Sequence, residues 1–489
     1  MSEYPTLANA GFVMPAGKAR RAHEAASRGR RLGGWRATSA GPNQILEADL
    51  QTLRDRSRDA YRNNGWMRRG INSLVTAEIG RGINPRSRAD DVGLRDDMHD
   101  IWREFCLESD ADGVLPFAGQ LALACRTRRT AGEVFFRRRR RRPTDGLMVP
   151  LQIQVLEPDH VPIDLNRLRR NGNRIVHGIE FDRRGRRVAY WMYPEHPNEQ
   201  SRGGISRTQP IRVPASEVLH HYFPVRPGQV RGEPDTVQAM VHSFVFDSYE
   251  DAELNRKASR SAWTGMIERP QYSEDDYLYD PFSGEPLKTD ENGEPVVDVQ
   301  SGEFMQLFPG EKPHLFDGDD SGDGYSDFMR HQLQRFAASL DLPYELFSGD
   351  YKNTQDRIYR AALNTFHRAI EADQDHLTIP QICVPVWRWV WDAAVLGGVI
   401  DVPDYAARRR MHQRAEWQPD AWPDLHPVQA VEASERKINA GLSTRDNEAQ
   451  KFGNNAEDVD RENQIDNIRA GLHGVKYSTD TTYVPEEQE

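Results

Sequence analysis

From Arg54 to Pro85 the chain reads RDRSRDAYRNNGWMRRGINSLVTAEIGRGINP. The stretch predicts two helices, separated at Asn63-Asn64-Gly65 and stopped by Gly80 and Gly82. The break is expected to use left-handed backbone, which Asn tolerates and Gly enters without steric cost. The first helix is amphipathic and rich in arginine. In the second, starting at Trp66, Ile71, Leu74 and Val75 recur at helical spacing and give it an apolar face. None of these residues forms a catalytic set.

Working outward, 489 residues suffice for about three domains at ~150 residues each. Hydrophobic residues make up 37% and charged residues 28%, and mean hydropathy is -0.76. Those values favour elongated subunits with much surface over one large core. No run of 18 apolar residues occurs, so no membrane span is expected. Residues 1–40 lack an apolar segment followed by a small-residue cleavage site, so no signal peptide is expected. Cys106, Cys125 and Cys383 are odd in number and far apart, which points to a reducing compartment and away from disulfides or a zinc knuckle.

Charge is segregated within a net value of -11. Arg54 to Arg88 holds nine Arg against three acids, and Leu121 to Arg187 holds 17 Arg against seven, including the run Arg137 to Arg142. Gln271 to Asp327 inverts the sign, with 16 acids, two Lys and no Arg. The tail from Ala456 to Glu489 is acidic again. Such asymmetry implies that different parts face different partners.

Residues 1–43, with seven Lys or Arg, read as a basic, partly disordered arm. Helices are expected over 44–79 and 96–130, and strands over 133–157, 174–193 and 218–224. A long helix follows from Asp235 to Trp263, its stripe formed by Val237, Met240, Val241, Phe244 and Val245. Residues 266–322 are rich in Pro, Gly and Asp, with strand candidates at Pro295 to Val299 and Phe304 to Phe308. Helical spacing resumes at Phe328 and stops at Pro343. Another long helix carries Ile358, Ala362, Phe366 and Ile370 on one face, and two more are expected at Pro427 to Ala440 and Ser443 to Gly471.

Catalytic motifs are missing. The sequence has no GxxxxGK[ST] phosphate loop, HExxH, CxxC, Rossmann GxGxxG or GxSxG. His220 and His221 adjoin on a strand and point to opposite faces, so a shared metal is not expected. Asp317, Asp319, Asp320 and Asp323 faintly resemble a calcium loop but lack its closing Glu, and read as a solvated acidic loop. The Arg137 to Arg142 run reads as a strand end with alternating exposed arginines rather than a nucleic-acid patch. Trp387 and Trp391 share a helix face and read as core or interface anchors.

Three segments together resemble the lambda-type phage portal proteins. The first is the Arg54 to Pro85 stretch. The second is Gly228-Gln-Val-Arg-Gly-Glu-Pro running into the helix with Tyr249-Glu-Asp-Ala-Glu-Leu. The third is Leu307-Phe-Pro-Gly-Glu, the helix Phe328 to Leu340, Leu342-Pro-Tyr-Glu-Leu-Phe-Ser-Gly-Asp and Arg360-Ala-Ala-Leu. Asn353-Thr-Gln-Asp-Arg-Ile-Tyr stands where the family has a Ser-rich piece. Downstream, Trp422-Pro-Asp-Leu-His-Pro-Val-Gln-Ala and Ala440-Gly-Leu-Ser-Thr are also similar to the family pattern. The resemblance spans roughly residues 20–470, carried by the order and spacing of motifs none of which is decisive singly.

The resemblance implies an α+β portal fold, mostly helical. It divides the chain into a basic arm (1–43), a β-rich wing (44–232), a stem helix (233–265), a small α/β clip (266–322), a second stem helix (323–342), a channel loop (343–356), a long wing helix and the rest of the wing (357–423), and a helical crown with an acidic tail (424–489). It further implies a homo-oligomeric ring of about twelve subunits at one capsid vertex of the virion, assembled in the host cytoplasm. Double-stranded DNA would pass through it without sequence specificity. The large terminase, the major capsid protein and head-completion or tail adaptor proteins would be its partners, with no membrane, metal or cofactor and no enzymatic activity. Asp350, Tyr351, Lys352, Asn353 and Thr354 are the candidate channel loop, and Asp317, Asp319, Asp320 and Asp323 the candidate motor-docking residues. The alternatives are another head–tail connector, which is typically far smaller, and a DNA-processing enzyme.

Overall fold

The computed structural model describes residues 34, 37–199, 209–262, 266–268, 312–314, 322–352, 354–422 and 426–477. Most of the basic arm, both strand candidates of the acidic insertion, and Asp317, Asp319, Asp320 and Asn353 lie outside the described residues.

Helices α1 (Pro42–Asn63) and α2 (Gly65–Ile79) form at the opening stretch. Their break works differently from the expectation. Asn64 is extended, at φ -104° and ψ 120°, and its side-chain oxygen accepts from the Met67 N–H at 2.8 Å. It caps α2 rather than turning left-handed, while its own N–H closes α1 on the Ala60 carbonyl at 2.9 Å, so one extended residue serves both helices. Left-handed relief comes at the far end. Gly80 sits at φ +51°, and a Cβ there would run into the Asp420 carboxylate, which accepts the Arg81 N–H at 3.0 Å.

Helices α3 (Val92–Glu108) and α4 (Phe117–Ala131) follow, α3 capped by the Asp91 carboxylate. Gly132, at φ +88°, then turns the chain into β2 (Glu133–Arg140). Strand β2 pairs antiparallel with β3 (Leu151–Leu156) on one side and β9 (Val218–Tyr222) on the other. Between them, β4 (Arg167–Leu168), β5 (Arg174–Val176), β6 (Ile179–Phe181), β7 (Arg187–Met192) and β8 (Ile211–Pro214) form an antiparallel meander in chain order. Its apolar side meets the three-stranded sheet through Phe135, Ile179, Tyr190 and Val213.

Helix α5 (Val237–Ala262) leaves this body and α6 (Gly322–Ser339) returns to it. The short helix α7 (Tyr344–Ser348) lies inside the segment expected to be loop. From Asp356 the chain stays helical to Leu396: α8 (Asp356–Asp373), a π-helical segment (Gln374–Cys383) and α9 (Val384–Leu396), about 60 Å at ~1.5 Å per residue. Pro380 lies within the π segment, whose wider turn suits a residue that donates no backbone hydrogen bond. Trp387 and Trp391 are fully buried, and Trp102 packs edge-on against Trp387 at 5.4 Å, which makes α9 the spine of the larger core.

The C-terminal part adds α10 (Tyr405–His412) and β12 (Ala415–Gln418), which pairs with β1 (Asn84–Ser87) across some 330 positions of sequence. Helices α11 (Pro427–Asn439), α12 (Arg445–Lys451) and α13 (Ala456–Leu472) end it. The single helix expected over 443–471 is thus two, broken where Gly453 adopts φ +74°. Among the described residues no helix is long and apolar enough to cross a membrane.

Candidate channel loop and stem

Helices α5 and α6 pack antiparallel. His242 stacks on Phe246 and meets Phe336 edge-on, its Nε2 lies 3.2 Å from the Gln332 carbonyl, Tyr249 meets Phe328 at 5.1 Å, and the Lys257 ammonium sits 4.7 Å over the Tyr325 ring. The pairing continues beyond the helices into β10 (Met266–Glu268) and β11 (Lys312–His314), antiparallel to one another. The acidic insertion is therefore carried at the far end of a helical pair. Asp323 falls in the first turn of α6.

The expected stripe on α5 is only partly a core stripe. Ala239, Met240, Ser243 and Phe246 are buried, whereas Val241, Phe244 and Val245 are 75%, 76% and 59% exposed. The physical reason is that α6 and α1 cover one side of a helix whose apolar residues run wider than one neighbour can reach. The remainder is an uncovered apolar face.

The candidate channel loop is held at its start by α7. Phe347 is buried between Trp66 and Phe336, at ring separations of 5.7 and 5.1 Å, and Gly70 lets α2 approach, since a Cβ there would sit 2.6 Å from Leu340. Gly349, at φ +74°, ends α7. Asp350 then closes a tight turn, accepting the Lys352 N–H at 3.1 Å and the Tyr344 hydroxyl at 3.2 Å. The Lys352 N–H holds its carboxyl below the ordinary carboxylate range. Tyr351 is 53% exposed and stands edge-on to Tyr359, whose phenol burial and then Tyr351 push up to about 12. Lys352 is exposed and makes no ion pair among the described residues, and the Thr354 N–H donates back to the Tyr351 carbonyl at 3.3 Å. The structure thus brings Asp350, Tyr351, Lys352 and Thr354 together on one turn. Asp350 spends its carboxylate on the turn itself.

Two buried ion clusters position these elements, and sequence reasoning found neither. In the first, Glu133 at the start of β2 pairs with Arg54 of α1, with the Arg231 Nε at 2.6 Å, with the His220 Nε2 at 2.8 Å and with the Gly232 N–H at 2.9 Å. Arg231 also donates to the carbonyls of Pro158, Val161 and His177. Burial raises the Glu133 pKa, but Arg231 and Arg54 outweigh it and hold the carboxylate ionised, while burial pushes His220 down to about 4. In the second, Glu78 of α2 pairs with Arg128 at 2.9 Å and Arg129 at 2.5 Å, and accepts from Thr378 of the π segment at 2.6 Å. Arg129 reaches on to Asp235, just before α5, and Asp373, at the end of α8. This cluster ties the start of α5 to the end of α8. His221 turns away from His220 to Gln381, so the two histidines do serve opposite faces. The arginine run is absorbed locally, Arg139 on Gln154, Arg141 on Gln152, Arg140 on Glu217 and Arg138 over the Trp389 ring. The visible signal was the Arg-Gly-x-Pro segment and the Arg-rich face of α1, but nothing in either announces that the charges meet in the interior.

The family model for phage portal proteins of the lambda family matches residues 28–374. The chain belongs to that family. A probable portal protein of Halomonas phage phiHAP-1 is 25% identical over 438 residues, 87% of this chain and 81% of that one. Portal protein B of Escherichia phage lambda is 22% identical over 275 residues, 53% of this chain and 51% of its own length. Among solved structures, the chain is similar to a chain in the neck of an empty gene transfer agent particle, at 14% identity and a TM-score of 0.48, covering 83% of this chain and 94% of that one.

Proposed function

We propose that copies of this portal protein close into a ring at one capsid vertex, through which double-stranded DNA is packaged and ejected. The observation that carries the ring is the face of Val241, Phe244 and Val245 on α5, left exposed by its own subunit beside the buried Ala239, Met240, Ser243 and Phe246. Contiguous apolar surface of this kind marks an interface, and in a ring each copy buries that face on its neighbour. Phe244→Asp should leave the monomer folded and abolish assembly, read by mass photometry. Wild-type-like assembly of that variant would contradict the assignment.

The role is structural. The large terminase would dock on the insertion carried by α5 and α6, as would adaptor proteins later, while the major capsid protein surrounds the ring. The supporting observation for docking is charge, 16 acids against two Lys from Gln271 to Asp327. A rim of one sign steers a basic partner and makes its binding salt-dependent. Replacing Asp317, Asp319 and Asp320 by Asn should weaken terminase binding at low salt and leave rings intact, and unchanged affinity would refute docking there. Within the channel, Lys352 and Tyr351 would touch the DNA backbone. With one cation per subunit the grip stays weak, because each neutralised phosphate adds affinity that would oppose sliding.

A further inference from the structure

Helix α10 lies beside α9, beyond residues 28–374 that the family model matches. Between them runs an open groove of about 1000 Å³ with Trp387 and Trp417 in its wall. Its rim carries Arg388 from α9, Arg408, Arg409 and Arg410 from α10, and Arg414 from the segment before β12. Arg409 is paired with Asp392. The other four are exposed, and none has an acid within ion-pair distance among the described residues.

A local explanation covers only part of this. Arginines in the last turn of a helix complement its dipole, which accounts for Arg410. It does not account for Arg388 and Arg414, which arrive from two other elements. Elsewhere in the C-terminal part exposed arginines meet acids: Arg445 with Asp460 at 2.5 Å, Arg461 with Asp96 at 2.6 Å, Arg469 with Asp466 at 2.5 Å. The groove lacks such interleaving. On β2 beside it, Arg138 lies over the Trp389 ring and Arg140 pairs with Glu217, so the unpaired charge is that of the groove itself. Guanidinium forks fit phosphate oxygens with two parallel hydrogen bonds. A groove with four unpaired forks and no acid among its lining residues suits a partner of repeated single-sign charge rather than a mixed protein surface.

We propose that this groove binds the phosphate backbone of double-stranded DNA, at a contact separate from the channel loop. The choice of DNA among polyanions rests on the portal reading, which sets the chain beside the packaged genome.

The test uses the full-length protein as purified and covalently closed circular DNA, which cannot thread a closed ring and so reports contacts outside the channel. Wild type should bind it with a salt-dependent affinity. The variant R388Q/R408Q/R410Q/R414Q should lose at least tenfold at about 0.1 M salt, and the slope of log affinity against log salt should fall by about 3–4, at ~0.9 per phosphate contact. A control with the same loss of charge, R167Q/R170Q/R183Q/R184Q on the meander, should bind as wild type does. Where the fourfold variant melts early, R408Q/R410Q on exposed α10 should still lower the slope by about 2. Equal affinity and slope in wild type and variant would overturn the proposal. So would displacement of the DNA by polyglutamate at equal charge concentration, which would assign the groove to an acidic protein. Binding without rings would leave the groove standing and sink the portal reading instead.

Discussion

Arg231 shows how one side chain can decide a fold's assembly. It is fully buried, pairs with Glu133 and closes three backbone carbonyls. Removing it leaves Glu133 and those carbonyls under-satisfied in low dielectric, so Arg231→Met should destabilise the protein by about 3–5 kcal/mol, measured by denaturant unfolding. Gly232→Ala should be as harmful for a different reason, since its Cβ would overlap the Gly132 carbonyl oxygen. The same cluster sets a pH dependence. His220 is pushed down to about 4 from an ordinary 6.5, so the unfolded chain takes up a proton as pH falls below about 6.5 while the folded chain does not. Stability is therefore full above that pH and declines below it. Glu133 and Glu78, both held below their ordinary value, add a second loss beneath about pH 4.5. Thermal melting should be flat from pH 7 to 8 and fall in two stages on acidification. A single stage beginning only below pH 4.5 would remove His220 from the explanation. The RG-x-P segment was legible as a signature, but the partners it meets lie 54 to 99 positions away, and local pattern carries no information about such pairings.

At the scale of elements, the long helices were legible because 3.6-residue spacing is local, and α5, α6 and α8 lie where periodicity put them, whereas the short α7 and α10 were not read. What an element packs against was less legible. The stripe on α5 reads as core in sequence, yet Val241, Phe244 and Val245 stay exposed, because periodicity reports an apolar face and not its occupant. Strands β1 and β12 were missed for a related reason. They are four residues each, and Pro85 pairs with Trp417 only after the chain has built everything between them. The C-terminal helices make a prediction of their own. Helices α12 and α13 are joined to α3 and β1 by ion pairs, Arg86–Asp446, Arg95–Glu457 and Arg461–Asp96, while Ile465, Ile468 and Leu472 stay exposed. Exposed pairs are screened by salt. Hydrogen exchange in α13 should therefore quicken between about 0.1 and 1 M salt, with exchange in α9 unchanged. Equal protection of α13 at both salts would show that something other than charge holds it.

For the whole molecule, the two ion clusters tie α1 and α2 to the strands and to the residues that flank α5 and α8. The channel loop adds a functional prediction at this scale. Deleting residues 350–354 should leave rings intact and impair retention of packaged DNA, read as the fraction of full-length genomes held in particles. Particles that package and hold genomes like wild type would reduce the segment to a connector. The central claim, that these subunits close around a hole wide enough for a duplex, is tested most directly by negative-stain electron microscopy of the purified protein. Rings with an axial hole, lost in Phe244→Asp, are the expected result. Monomers alone at every salt concentration and protein concentration tried would contradict it.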